Sequence, residues 1–238
     1  MTANLFRKGI FSGLAMLLVI TLAQAQSDPI KDFIPAGYRL LLQEKGDLNK
    51  DGEADVVLVV ENTDPTNIRI NKEGMDADTL NLNDRMLLVL FGSGANTFRK
   101  VAENRSFLPS EHDEESSCLA DPLLQDGGIS IDKSRLKIDL NYWYSCGSWY
   151  VSQHTYTLRW QENRMRLIGF DSRDFHRASG EISRSSINLL TGQRKDVTGE
   201  NEFEDSGKVK TTLRPVKPRK PLFLEDLTED SGEMLVKY

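Results

Sequence analysis

The sequence predicts a mainly β fold of antiparallel sheets, a sandwich or a propeller-like fragment, with a single hairpin near its start that carries an acidic loop. Three observations carry this expectation. Residues 56–60 (VVLVV) and 86–91 (MLLVLF) are apolar throughout, as strands buried on both faces are. Residues 129–142 and 149–170 alternate apolar and polar side chains with a period of two. Turn-forming Gly, Asn, Asp and Ser separate these runs, as in hairpins.

Residues 1–25 have the layout of a secretory signal peptide. Arg7 and Lys8 precede an apolar run over 10–22, and Ala23-Gln24-Ala25 gives the small-x-small pattern of cleavage after Ala25. The run is shorter than the roughly 20 residues of a membrane-spanning helix, and no later stretch is long or apolar enough to span. No cysteine lies near the junction to accept a lipid anchor. The expected address is therefore the periplasm or the medium.

The chain has 30 Lys and Arg against 36 Asp and Glu; loss of Arg7 and Lys8 leaves 28 against 36, a net charge of −8. Such a surface repels nucleic acid and suits a cation-binding exported protein. The two cysteines, Cys118 and Cys146, survive cleavage and reach an oxidising compartment, where a pair favours a disulfide over two free thiols. Closing that loop is worth roughly 3 kcal/mol.

The mature chain opens with a short, largely apolar stretch over 38–43, which pairs with 55–61 across residues 47–55. That loop reads D-x-N-x-D-G-x-x-D: Asp47, Asn49, Asp51, Gly52 and Asp55. Alternating Asp47, Asn49 and Asp51 offer side-chain oxygens, Gly52 permits the positive φ of a sharp turn, the Glu53 carbonyl offers a backbone oxygen, and Asp55 completes the shell. An all-oxygen set of this kind is hard and flexible, which prefers Ca²⁺ to zinc, copper or magnesium. An EF-hand requires a bidentate Glu at loop position twelve, where this chain has Leu58, and the loop leads into a strand. Asp, Asn and Gly also dominate ordinary turns, the alternative that binds nothing.

Over about fifteen residues, 46–60, the stretch resembles the calcium loops of the FG-GAP and VCBS repeats of integrin-type propellers and secreted bacterial proteins. The resemblance implies calcium held between two strands by Asp47, Asn49, Asp51, Glu53 and Asp55. No second copy follows, which departs from a propeller.

Further along, 86–91 ends in Gly92-Ser93-Gly94, with 98–101 returning beside it. The span 109–128, with Glu111, His112, Asp113, Glu114 and Glu115, reads as a long surface loop restrained by Cys118. Hairpins follow at 129–142, turning at 132–134, and at 149–170, turning at 161–164. Trp143, Trp149, Tyr150, Tyr156 and Trp160 form either a core row or a surface for stacking sugars. The polar stretch 171–186 reads as a turn, with a strand at 187–190. The β domain is thus expected over 26–195, followed over 196–238 by a charged, proline-containing tail that is at most partly ordered, although 222–227 is apolar enough to dock.

Asp171, Asp174, His176 and Glu181 are the densest acid and imidazole group outside the loop, and a periplasmic or secreted hydrolase would draw its paired carboxylates or His base from them. Arg173, Arg177 and Arg184 offer the blander reading of surface pairs. Linear catalytic signatures, phosphate loops and dinucleotide fingerprints are absent, so no catalytic residue is assigned. The expectation is an exported calcium-binding β module whose partner is an envelope or extracellular protein or a glycan.

Overall fold

A computed structural model describes residues 28–72, 77–205, 207–216 and 220–238; the expected signal peptide lies outside them. In chain order the strands are β1 (Tyr38–Gly46), β2 (Asp55–Asn62), β3 (Ile68–Ile70), β4 (Thr79–Asn81), β5 (Arg85–Gly92), β6 (Phe98–Asn104), β7 (Gly128–Asp132), β8 (Arg135–Tyr142), β9 (Tyr150–Gln161), β10 (Arg164–His176), β11 (Glu181–Asn188), β12 (Gln193–Asn201) and β13 (Lys210–Pro215). A short helix, α1 (Ser231–Val236), follows. They form a four-stranded sheet in the order β1-β2-β5-β6, a seven-stranded sheet β13-β12-β11-β10-β9-β8-β7, and the small pair β3-β4. Every pairing is antiparallel. Among the described residues no sheet closes into a barrel or propeller.

The two-sided apolar runs occupy the centre of the four-stranded sheet because each of their faces has a partner. Val57, Val59, Leu87 and Val89 share a core with Leu136, Ile138, Tyr156, Leu158, Met165 and Phe170 of the seven-stranded sheet. Val56, Leu58, Val60, Met86, Leu88 and Leu90 face the other way, against Ile30, Phe33 and Ile34. Each such side chain contributes roughly 1.5–3 kcal/mol of burial, so neither face tolerates a polar residue.

The hairpins β7–β8 and β9–β10 turn through Lys133-Ser134 and Glu162-Asn163, four residues with φ between 50° and 59°. Two consecutive positive-φ residues make the turn whose twist matches the flanking strands.

Three expectations are corrected. The stretch 109–128 is not a simple surface loop: Ser117, Cys118, Leu119 and Leu123 are buried, and Asp121 forks onto Arg85 at 2.7 and 2.6 Å. Arg85 also meets Glu61 at 3.1 Å, a carboxylate shared with Arg39, so Asp121 of the loop balances the charge of the buried group. Cys118 and Cys146 form a disulfide. The polar stretch 171–186 is not a turn but the β10–β11 hairpin, which is held inside by the Ser172–Ser185 hydroxyl pair at 2.8 Å rather than by apolar side chains.

Third, the sheet does not stop at residue 195. β12 and β13 extend it, and Val216, Leu222, Leu224, Leu227 and Leu235 are buried in the common core. The Asn104 amide donates to the carbonyls of Leu224 and Leu227, which fastens this segment across the end of β6.

Candidate functional site

Residues 47–55 connect β1 to β2, whose last register pair is Gly46 with Asp55. The loop is drawn tight by its own side chains. Asp47 accepts from the backbone N–H of Lys50 and Gly52, Asn49 from Asp51, and Asp51 from Glu53. Lys50 and Gly52 take φ of 68° and 89°, the left-handed turns that let three oxygen-bearing side chains share one short arc. The bond from Glu53 chiefly, with help from Asn49, holds the exposed Asp51 carboxyl below its ordinary range.

The base of the loop is built differently. Leu48 inserts into the core, and Asp55 is completely buried. One Asp55 oxygen accepts from Leu48 N–H at 2.8 Å and the other from Gly92 N–H at 3.0 Å, tying the loop to the end of β5. Burial pushes the Asp55 carboxyl up, and these amides pull it back. Gly92 admits no side chain, since a Cβ there would stand 2.5 Å from the Ala54 carbonyl. Asp47, Asn49, Asp51 and the Glu53 backbone lie together on the rim, whereas Asp55 is an anchor below it. These donors fit the chemistry of a hard cation. Among the described residues no group of three or more His, Cys, Asp or Glu side chains stands in metal-holding proximity.

The Asp171, Asp174, His176 and Glu181 set is not brought together. A strand sends alternate side chains to opposite faces, so Asp171 lies on the face away from the core and Asp174 and His176 on the other. Asp174 accepts from the Ser152 hydroxyl at 2.6 Å, and His176 Nδ1 engages the N–H and hydroxyl of Ser179. Glu181 begins β11 and is exposed.

Asp174 instead belongs to a cavity of about 490 Å³ between the inner face of the large sheet and the C-terminal segment, lined among others by Tyr142, Ser152, His154, Glu229 and Glu233. Burial lowers the His154 pKa, against the opposing pull of Asp174 and Glu233. Burial, reinforced by Asp230 and Asp113, raises that of Glu229. His154 Nδ1 and Tyr156 Oη are buried without a hydrogen-bond partner among the described residues. Both lie against Gly232, where a Cβ would stand 2.6 and 2.7 Å from them. Sequence reasoning missed this group because its members come from four separate stretches and leave no spacing signature. Gly232, a glycine inside a helix, is the one local sign of a close approach.

Comparison with protein-family models, curated proteins and solved structures finds no match to this chain. Among the described residues no helix is long and apolar enough to cross a membrane.

Proposed function

We propose that the chain is an exported β module, ordered by calcium at the β1–β2 loop, that binds a protein or glycan partner outside the cytoplasm. The observation that supports it is the loop itself: Asp47, Asn49 and Asp51 crowd their oxygens into one arc between two paired strands, at the spacing that FG-GAP and VCBS loops use. Each oxygen that accepts an N–H keeps a second lone pair. Cation binding therefore adds to the existing hydrogen bonds, and it relieves the repulsion between Asp47 and Asp51. The Cys118–Cys146 disulfide supports an oxidising compartment, where calcium is plentiful and modules of this kind bind it with Kd of about 10⁻⁴–10⁻³ M. A hydrolase built on Asp171, Asp174, His176 and Glu181 has less support, since β10 turns Asp171 to the face opposite Asp174 and His176, and Glu181 stands exposed at the start of β11.

The test is calorimetric titration of the mature, oxidised protein with calcium after chelation, with magnesium as control. One calcium-selective site that Asp51→Ala removes is expected. A titration without heat, or one that Asp51→Ala leaves unchanged, contradicts the reading.

A further inference from the structure

The face of the seven-stranded sheet turned away from the core carries a hollow of about 350 Å³ lined by Gln153, Thr155, Arg173, Arg184, Ser186 and Lys195. Register places these residues side by side. Gln153 is opposite Arg173, Arg173 opposite Arg184, and Ser186 opposite Lys195. Three cations thus converge on adjoining rows in a chain whose acidic residues outnumber its basic ones, 36 to 30.

Like charges directly opposite one another on a sheet are destabilising, and the Arg173–Arg184 pair gives nothing to the core in return. Their orientation is maintained nonetheless. Glu200 accepts from Arg184 Nε at 2.7 Å, the terminal N–H groups of Arg184 have no partner among the described residues, and Arg173 lies over the Phe175 ring at 5.4 Å with Glu202 at 3.9 Å. Lys195 is exposed and has no carboxylate partner among the described residues. Asp171, also in the lining, is the one carboxylate inside the hollow.

Next to the cations the hollow offers amide and hydroxyl groups, with Val197 as the one apolar side chain of the lining. Outside the lining, Phe175, the ring under Arg173, has Phe203, 60% exposed, against it with ring centroids 6.0 Å apart. Guanidinium forks suit carboxylates, the Gln, Thr and Ser groups suit neutral hydroxyls, and an exposed ring suits the C–H face of a sugar.

We propose that this face binds an acidic saccharide, a carboxylate-bearing glycan lying across β9 to β12. The inference rests on the reading of the chain as a partner-binding module and selects the glycan over the protein. Arg173 and Arg184 take the carboxylate, Lys195 a second negative group, and Gln153, Thr155 and Ser186 the sugar hydroxyls.

The experiment titrates the mature protein with a short oligogalacturonate, with a neutral galactose oligomer of equal length, and with inorganic sulfate, each in calcium and in chelator. Binding of the acidic oligomer at least about tenfold tighter than the neutral one is expected. Arg173→Gln and Lys195→Gln should each weaken it by about tenfold, the loss of one charge-assisted contact. Amide chemical-shift mapping on the wild type, which needs no variant, should place the changes on β9 to β12. Equal affinity for the neutral oligomer, sulfate competing as well as the saccharide, or shifts centred on Trp149 and Tyr150 would overturn the proposal. A calcium response without acidic-saccharide binding counts against this inference alone; acidic-saccharide binding without a calcium response counts against the metal reading alone.

Discussion

Arg85 is 1% exposed, as is Glu61, and the guanidinium is surrounded by Glu61, Asp121 and the Pro109 carbonyl. Glu61 takes a further bond from Arg39 at 2.5 Å. A buried pair of this kind stabilises little relative to an apolar core, but removing one member strands the others in a medium that solvates charge poorly. Asp121→Ala should therefore cost roughly 3–5 kcal/mol in urea unfolding, far more than exposed pairs such as Arg135 with Asp132. His154 allows a second residue-level prediction. Its folded pKa lies below the ordinary 6.5 because burial disfavours the imidazolium, so below that pH the unfolded chain binds the extra proton. Stability present above about pH 6.5 is thus lost as pH falls toward the folded value. Glu229, with its raised pKa, has the opposite sign: its contribution is present at low pH and lost as pH rises. His154→Leu should consequently show a smaller drop in Tm between pH 7.5 and 5.5 than the wild type; identical drops would show that His154 is not the group responsible.

At the scale of elements, the hairpins that were legible in the sequence are those in which one face is apolar and the turn chemistry is local. β7–β8 and β9–β10 fall where alternation and turn residues place them, and residues 56–60 and 86–91 occupy inner strands because nothing else buries both of their faces. β11 and β12 were hidden for the opposite reason. A register shift between Leu167 and Gly169 changes which positions of β10 face inward, and beyond it the inner face continues as Ser172 and Asp174, polar residues satisfied by Ser185 and Ser152. β12 is held by its ladder and by Asp196 between Arg194 and Arg214, a pattern that looks like a charged tail in one dimension. The contact of α1 with the sheet was equally invisible. Gly232 normally weakens a helix, and alanine there would ordinarily gain about 1 kcal/mol. Gly232→Ala should instead lower Tm, because the added methyl meets His154 Nδ1 and Tyr156 Oη; a raised Tm would mean that α1 does not sit closely on β9.

At the scale of the whole molecule, two sheets share one core, and the C-terminal segment and the 109–128 stretch are fastened to it by particular devices. The disulfide joins the 109–128 stretch to the segment that follows β8, Arg85 fixes the same stretch from beneath, and Asn104 secures the C-terminal segment. The candidate calcium loop stands at one hairpin end of the smaller sheet, and it could be proposed from sequence because all the oxygen groups assigned to it lie within nine residues. The basic hollow was not legible in the same way, since Arg173, Arg184 and Lys195 become neighbours only through strand pairing. Calcium-ordered folding is the central claim, and it is tested most directly by thermal unfolding of the wild type and Asp51→Ala in chelator, magnesium and calcium. At calcium ten times Kd the wild type should gain about 1.4 kcal/mol, with no such gain in magnesium or in the variant. Equal stabilisation of both proteins by calcium, or none of either, would contradict it.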